Sequence, residues 1–171
     1  SLVGSEMCIR DRPMSYNHDK NANLPLEKSA PHLKLTTCEA KILKIARYYF
    51  MTFSEPSKQT WLDANDYAIK NFSSDSGPYV SLAILSVIQS MREVRKSTFK
   101  FNNPDCKICS AALTEHEIGL LNTIRCKVKG RDDAAAAHAF IICECNDSSQ
   151  FLNATSILAA ICFSDGAEML G

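Results

Sequence analysis

Residues 79–96, YVSLAILSVIQSMREVRK, decide the fold of this chain because they predict a central helix. An apolar seam follows alternating steps of four and three residues, the spacing of one helix face, at Val80, Ile84, Val87, Met91 and Val94. Leu82, Leu85 and Ile88 make the first half of the helix apolar nearly all round. A helix of that kind is usually buried, so we expect the other helices to pack around it.

Start and stop signals divide the chain on both sides of this helix. Thr36 and Glu39 have the spacing of a capping box, and Thr114 and Glu117 repeat it. Further boundaries are indicated at Ser54–Pro56, Ser73–Pro78, Gly130 and Asn146–Ser148. Six helices with short connections and almost no strand signal predict an all-α, single-domain bundle.

The domain limits follow from the composition of the N-terminal region. Ser1–Arg12, SLVGSEMCIRDR, matches codon by codon the in-frame translation of a transposase-based sequencing adapter, so these residues are excluded from the fold. Residues 13–35 are polar, contain Pro25 and Pro31, and predict a flexible arm. We expect the helical domain over residues 36–165.

Composition and charge narrow the class of protein. The formal net charge is zero over 171 residues, which argues against bulk attraction to nucleic acid or membranes but allows a local basic patch. No export signal follows Met14, and the longest apolar stretch is too short to span a bilayer. These features predict a cytoplasmic protein without a membrane partner.

The pair Cys106 and Cys109 indicates a possible metal or redox site. Seven cysteines remain when Cys8 is set aside with the adapter, and an odd count without an export signal argues against a disulfide framework. Cys106 and Cys109 are spaced as CxxC after turn-forming residues, and we expect them between helices three and four. Such a turn aims both sulfurs at one point while its N–H groups stabilise thiolates, which is half of a zinc site.

His138 and Cys143 are the predicted second half, and the full pattern is C-x2-C-x28-H-x4-C. This set of ligands requires Cys143 to lie where helix five ends, because five positions along a regular helix turn its side chain away from His138. Cys145 and His116 are the alternative ligands: Cys145 shares a helix face with His138, and His116 closely follows Cys109. Zn²⁺ is the expected cofactor, with unliganded buried thiols or a redox dithiol as the other interpretations.

Two basic clusters flank the cysteine pair. The nucleic-acid contact residues predicted from the first cluster are Arg92, Arg95, Lys96 and Lys100, with Phe99 and Phe101 placed as base-stacking residues could be. The second cluster is Arg125, Lys127, Lys129 and Arg131. Helix ends also attract basic residues through the helix dipole, so nucleic acid is the less favoured partner.

A protein partner or a homo-oligomer is the favoured alternative. The surface expected to bind it lies on helices one and two, where four aromatic residues offer more area than one helix stripe can bury, namely Tyr48, Tyr49, Phe50 and Phe53. An enzyme is disfavoured, because no nucleophile elbow, phosphate loop, H-E-x-x-H motif or dinucleotide fingerprint is evident. Glu115, His116 and Glu117 are better explained by the capping box than by acid–base catalysis.

Three segments resemble a group of small helical alphaproteobacterial proteins that carry a cysteine pair. The segments are RYYFMTFSEPSKQTWLDA (47–64), KSTFKFNNPDCKICSAALTEHE (96–117) and AAAAHAFIICECND (134–147). The resemblance covers about Cys38 to Phe163, implies a bacterial cytosolic protein and supplies no activity. It favours Cys106, Cys109, His138 and Cys143 as the matched positions.

Two functions are therefore expected from the sequence. The first is a non-enzymatic, zinc-stabilised regulatory or adaptor module that binds a macromolecule. The alternative is a redox-responsive dithiol protein that uses Cys106 and Cys109.

Overall fold

Six α-helices and two short 3-10 turns make up the described part of the chain, residues 34–163, in a computed structural model. The helices are α1 (Thr37–Ser54), α2 (Trp61–Phe72), α3 (Gly77–Val94), α4 (Glu115–Val128), α5 (Asp132–Ile142) and α6 (Ser149–Phe163), and the 3-10 turns are Pro56–Lys58 and Cys109–Ala111. Residues 34–163 contain no strand, which confirms the all-α, single-domain prediction. The predictions for Ser1–Arg12 and for most of the arm fall outside these residues. None of the six helices combines the length and apolarity needed to cross a bilayer.

Both predicted capping boxes are present and begin the helices they were expected to begin. The Thr36 side chain accepts a hydrogen bond from Glu39 N at 3.2 Å, and Thr36 N donates to Glu39 Oε2 at 2.8 Å. Thr114 and Glu117 form the same two bonds at 3.1 and 2.9 Å. Each cap satisfies N–H groups that a helix start would otherwise leave without partners.

The ends of α4 and α5 share one hydrogen-bond pattern. Gly130 has φ 63°, and the next residue, Arg131, donates from its N–H to Cys126 O at 2.8 Å. α5 ends in the same way after Cys143, but the left-handed position is Glu144 with φ 57°. The expected helix end at Cys143 is therefore confirmed, and it uses a residue other than the usual glycine.

α3 occupies the centre of the bundle and packs against α1, α2 and α6. Val80, Ile84, Val87 and Met91 are fully or almost fully buried, as their spacing predicts. Leu82 is 60% exposed, so the expectation of an apolar helix buried nearly all round is wrong. No helix within residues 34–163 covers that position on the outer face of α3.

The aromatic surface expected on helices one and two is wrong for three of its four residues, and the fourth, Phe53, is half-buried. Tyr48, Tyr49 and Phe50 are buried, because α1 contacts α2, α3 and α4 as well as the loop after α3. Phe99 and Phe101 from that loop complete the packing, with ring centroids 4.3 and 5.4 Å from that of Phe50. Since both are fully buried, neither phenylalanine is placed to stack on bases, and the two rings pack in the core instead.

Candidate thiol site in the loop between α3 and α4

The CxxC pair lies in the loop between α3 and α4, which hydrogen bonds within the loop fold into a turn. Asn103 begins the turn by accepting a hydrogen bond from Asp105 N on its side-chain oxygen at 2.9 Å. Ser110 N then donates to Cys106 O at 2.8 Å, and the 3-10 turn Cys109–Ala111 follows. This local geometry brings both cysteine side chains to one side of the loop, as the spacing predicts.

The two sulfur atoms are in direct contact. Cys106 Sγ and Cys109 Sγ lie 2.7 Å apart, and Cys109 N donates to Cys106 Sγ at 3.4 Å. The contact with the Cys109 thiol, together with this N–H group, lowers the pKa of Cys106. Cys106 is partly exposed, whereas Cys109 is buried. The pair thus consists of an accessible sulfur that favours the thiolate and a second sulfur behind it.

A buried arginine from α1 holds the backbone of this turn. Arg47 donates from Nη1 to Ser110 O at 2.9 Å and from Nη2 to Ala112 O at 2.7 Å. The same guanidinium group pairs with Glu117 through two bonds, from Nε at 2.7 Å and from Nη2 at 3.0 Å. Arg47 therefore fixes the position of the cysteine turn relative to both α1 and α4.

Glu117 is the acidic partner in this arrangement and is fully buried. Besides the two bonds from Arg47, its carboxylate accepts from Asn102 N at 3.1 Å and from Thr114 N at 2.9 Å. A buried carboxylate is stable only when its lone pairs are used in this way. One residue thus caps α4, pairs with α1 and fastens the loop.

Tyr48 provides a second link between α1 and the turn. Its hydroxyl donates to Asp105 Oδ1 at 2.7 Å, next to Cys106 in the chain. Burial and the neighbouring Asp105 carboxylate raise the pKa of Tyr48, so the phenol stays protonated and remains a donor. The loop is therefore fixed on both sides of the cysteine pair.

The sequence pattern does not predict the buried role of Arg47, and it predicts only a capping role for Glu117. A signal for Arg47 was present in the sequence, because this charged residue interrupts the otherwise apolar and aromatic run between Ile45 and Met51. A charge in such a run needs a buried partner. The sequence offered several acidic residues, and it is the tertiary fold that selects Glu117.

The other predicted zinc ligands lie elsewhere in the fold. His138 and His116 line one pocket between α4, α5 and the end of α3, together with Arg95 and Glu144. Cys143 is fully buried at the end of α5, where burial raises its pKa to about 11. Cys145 is exposed and has φ 62°.

His116 already has partners at one ring nitrogen and one ring face. Its Nδ1 accepts a hydrogen bond from Lys100 N at 2.8 Å, and its ring lies 5.2 Å from that of Phe99. Burial lowers the pKa of His116, and the nearby charges of Arg95 and Lys100 lower it further. The neutral ring therefore ties the loop after α3 to the first turn of α4.

Cys106 and Cys109 are in contact, whereas His116 and His138 line a pocket whose residues include neither cysteine. Within residues 34–163, no three His, Cys, Asp or Glu side chains are grouped so that they could hold a metal ion. Zinc ligation by Cys106, Cys109, His138 and Cys143 stays a prediction.

The four basic residues proposed for nucleic-acid contact do not share an exposed surface. Arg95 is buried, where it donates to Ile142 O and lies 3.2 Å from Glu144 Oε1, so its expected surface role is wrong. Arg92 is half-buried with its guanidinium 3.6 Å from the Phe53 ring centroid. Lys96 and Lys100 are exposed. The proposed patch is reduced to these two lysines.

No protein family, curated protein or solved structure matches this chain, so comparison supplies no activity, substrate or partner. The resemblance to small helical alphaproteobacterial proteins stays a prediction.

Proposed function

We propose that the protein is a thiol–disulfide redox protein in which Cys106 and Cys109 cycle between a dithiol and a disulfide. The observation that carries the proposal is the 2.7 Å contact between the two sulfur atoms, with one sulfur partly exposed and the other buried. Two thiols held this closely form an intramolecular disulfide with little rearrangement, since an S–S bond measures about 2.05 Å.

The two cysteines take different roles in this cycle. Cys106 is the nucleophile, because it is the accessible sulfur and its neighbours lower its pKa toward the thiolate form. Cys109 is the resolving residue, because its burial keeps external disulfides away while its sulfur touches Cys106. A two-step thiol–disulfide exchange requires one attacking and one resolving cysteine.

The exchange needs an external disulfide, R–S–S–R, as the oxidant. The Cys106 thiolate attacks one sulfur, the R–S–S–R bond breaks, and the first R–S⁻ leaves. Cys109 then loses its proton and attacks the Cys106 sulfur of the mixed disulfide, which releases the second R–S⁻. The two thiol protons pass to the released thiolates, so the protein loses two electrons and the substrate becomes two R–SH molecules.

Zinc binding is the competing prediction at the same turn. The pair offers two sulfur ligands that point at one place, which suits zinc as well as a disulfide. The zinc-stabilised adaptor requires two further ligands, and the described residues gather no third one with this pair. The redox proposal needs only the two cysteines that are in contact.

The test incubates reduced protein with glutathione disulfide and follows its mass. Wild-type protein should lose two hydrogens and retain no glutathione at Cys106 or Cys109, with the new bond mapped to these two cysteines. Cys109→Ser should accumulate a glutathione adduct at Cys106, and Cys106→Ser should form no adduct at Cys109. Cys145→Ser is the matched control, because Cys145 is exposed and lies in another loop. It should still form the disulfide.

Other outcomes would overturn the proposal. Modification of Cys145 alone would show that the CxxC pair is unreactive. Elemental analysis of purified protein distinguishes the zinc adaptor from the redox protein. One zinc per chain that is lost in both Cys106→Ser and Cys109→Ser would favour the metal module over the redox cycle.

A further inference from the structure

We infer that the substrate of this dithiol is a disulfide in a protein or peptide, which makes an apolar contact with Ile108. This inference rests on the proposed redox function and names its substrate class. It follows from what surrounds Cys106 on the surface, from the rigidity of the turn and from the local balance of charge.

Ile108 is the most exposed of the large hydrophobic residues described, at 84%. It lies inside the motif, between the two cysteines, and the side chain of its neighbour Lys107 is also exposed. Two further small apolar residues after Cys109 are exposed, Ala111 and Ala112. Exposed apolar side chains therefore lie within six residues of Cys106 in the same turn, and no residue in the range 34–163 buries them.

The exposure of Ile108 is built into the turn. Hydrogen bonds from Arg47 hold the carbonyl groups of Ser110 and Ala112, and Ser110 N is bonded to Cys106 O. The backbone on the C-terminal side of Ile108 is therefore fixed while its side chain faces solvent. A contact residue that is already ordered loses little entropy on binding, which favours its use in recognition.

The charges near the pair do not select a small anionic disulfide. Asp105 and Lys107 flank Cys106 in the chain, are both exposed and carry opposite charges. Glutathione disulfide carries several carboxylates and no aliphatic side chain to cover Ile108. A cystine in a polypeptide brings neighbouring side chains that bury the isoleucine, and buried apolar anchors contribute much of the affinity of such contacts.

The covalent steps are those of the proposed cycle with a protein cystine as R–S–S–R. Cys106 forms a mixed disulfide with one substrate cysteine, and the other substrate cysteine leaves as a thiolate. Cys109 then releases the first one. The substrate gains two electrons and two protons, and the Cys106–Cys109 pair loses them.

The test compares two probes, insulin and glutathione disulfide, as oxidants of the pre-reduced protein. Ile108→Ser should slow the reaction with insulin about tenfold, the effect of losing part of one buried aliphatic contact. It should leave the reaction with glutathione disulfide within about twofold, because that probe makes no comparable contact. Ile108→Leu should react with insulin at close to the wild-type rate. Ile157→Ser is the control, because Ile157 is half exposed on α6 and outside the loop.

The outcomes separate this inference from the function on which it rests. Equal slowing with both probes, or no slowing with insulin, would overturn the apolar contact and leave the redox function standing. A wild-type dithiol that glutathione disulfide oxidises and insulin does not would overturn the substrate class. If neither probe oxidises the pair, the proposed function itself fails.

Discussion

The Arg47–Glu117 ion pair is the most deeply buried ion pair within residues 34–163. Both side chains are buried, at 3% and 0% exposure, and together they join α1, the cysteine turn and the start of α4. Burying two charges costs several kcal/mol each, and their attraction offsets that cost only if the remaining polar atoms are satisfied. The bonds to Ser110, Ala112, Asn102 and Thr114 meet that condition.

Removing one partner of this pair should destabilise the protein strongly. Glu117→Gln leaves the Arg47 charge buried without its counterion, so we expect a loss of about 3 kcal/mol in the free energy of unfolding. Urea denaturation followed by circular dichroism measures it. The control is Lys70→Ala, which breaks an exposed pair with Asp66 and should cost less than about 1 kcal/mol.

The same variant also tests whether the pair positions the thiols. If Glu117→Gln folds, the rate at which Cys106 reacts with iodoacetamide should change, because the turn loses part of its support. A variant with wild-type stability and a wild-type alkylation rate would show that the pair is incidental to the site.

Charged residues show clearly where prediction from the sequence stops. Arg95 follows a helix end, and because helix ends usually carry solvated cations, its sequence position predicts that it lies on the surface. The structure buries it, since the left-handed Glu144 after α5 and the carbonyl of Ile142 face the end of α3. Those partners come from a segment about fifty residues away, so no local sequence pattern predicts them.

Helix boundaries were predictable because their causes are local. The capping boxes at Thr36 and Thr114 and the left-handed Gly130 each depend on residues within one turn. One boundary differs, because Ser54 ends α1 instead of capping α2, and the 3-10 turn Pro56–Lys58 intervenes. The buried faces were harder to predict. α1 is covered on several sides, so a single stripe underestimates its burial.

The packing of α2 against α3 depends on a glycine. A Cβ added at Gly77 would lie 2.6 Å from Ile69 Cα and 2.7 Å from Ala68 O. These are backbone atoms of α2 and cannot turn aside as a side chain could. The two helices approach this closely only because Gly77 has no side chain.

Gly77→Ala should therefore destabilise the bundle by about 2 kcal/mol, because overpacking forces the helices apart. Gly119→Ala is the matched control, since its Cβ would lie 3.6 Å from the end of the Ile142 side chain and alanine favours a helix. We expect its stability to equal or exceed that of wild type in thermal unfolding. Equal melting temperatures for both variants would show that α2 and α3 separate without cost.

At one end of the bundle, two side chains that titrate in acid, Glu144 and His116, link neighbouring segments. Glu144 accepts hydrogen bonds from Lys96 N, Ser97 N and the Ser97 hydroxyl, which links the end of α5 to the end of α3. His116 links α4 to the same loop through Lys100 N. Both side chains border one pocket. Loss of their hydrogen bonds would weaken the attachment of the loop that leads from α3 to the cysteine turn.

The sign of each effect follows from its pKa shift. Burial lowers the pKa of His116 below its ordinary 6.5, so its contribution to stability is complete above pH 6.5 and is lost as the pH falls below that value. Its charged surroundings are Arg95, Lys100, Glu115 and Glu144. The Ser97 hydrogen bond, with further backbone bonds, lowers the pKa of Glu144 from 4.5 to about 2. Its contribution is complete above pH 4.5 and is lost toward pH 2.

Acid should therefore weaken the fold in two separable stages, measured as the urea midpoint of unfolding against pH. As the pH falls below 6.5, His116→Gln should flatten the decline, because the amide oxygen can accept the Lys100 hydrogen bond without titrating. Below pH 4.5, Glu144→Gln should flatten the second decline from a lower starting stability. Ile157→Ser removes no titratable group and should follow the wild-type profile. A His116→Gln profile parallel to wild type would show that the neutral ring does not hold the loop after α3, and that protons act on this bundle elsewhere.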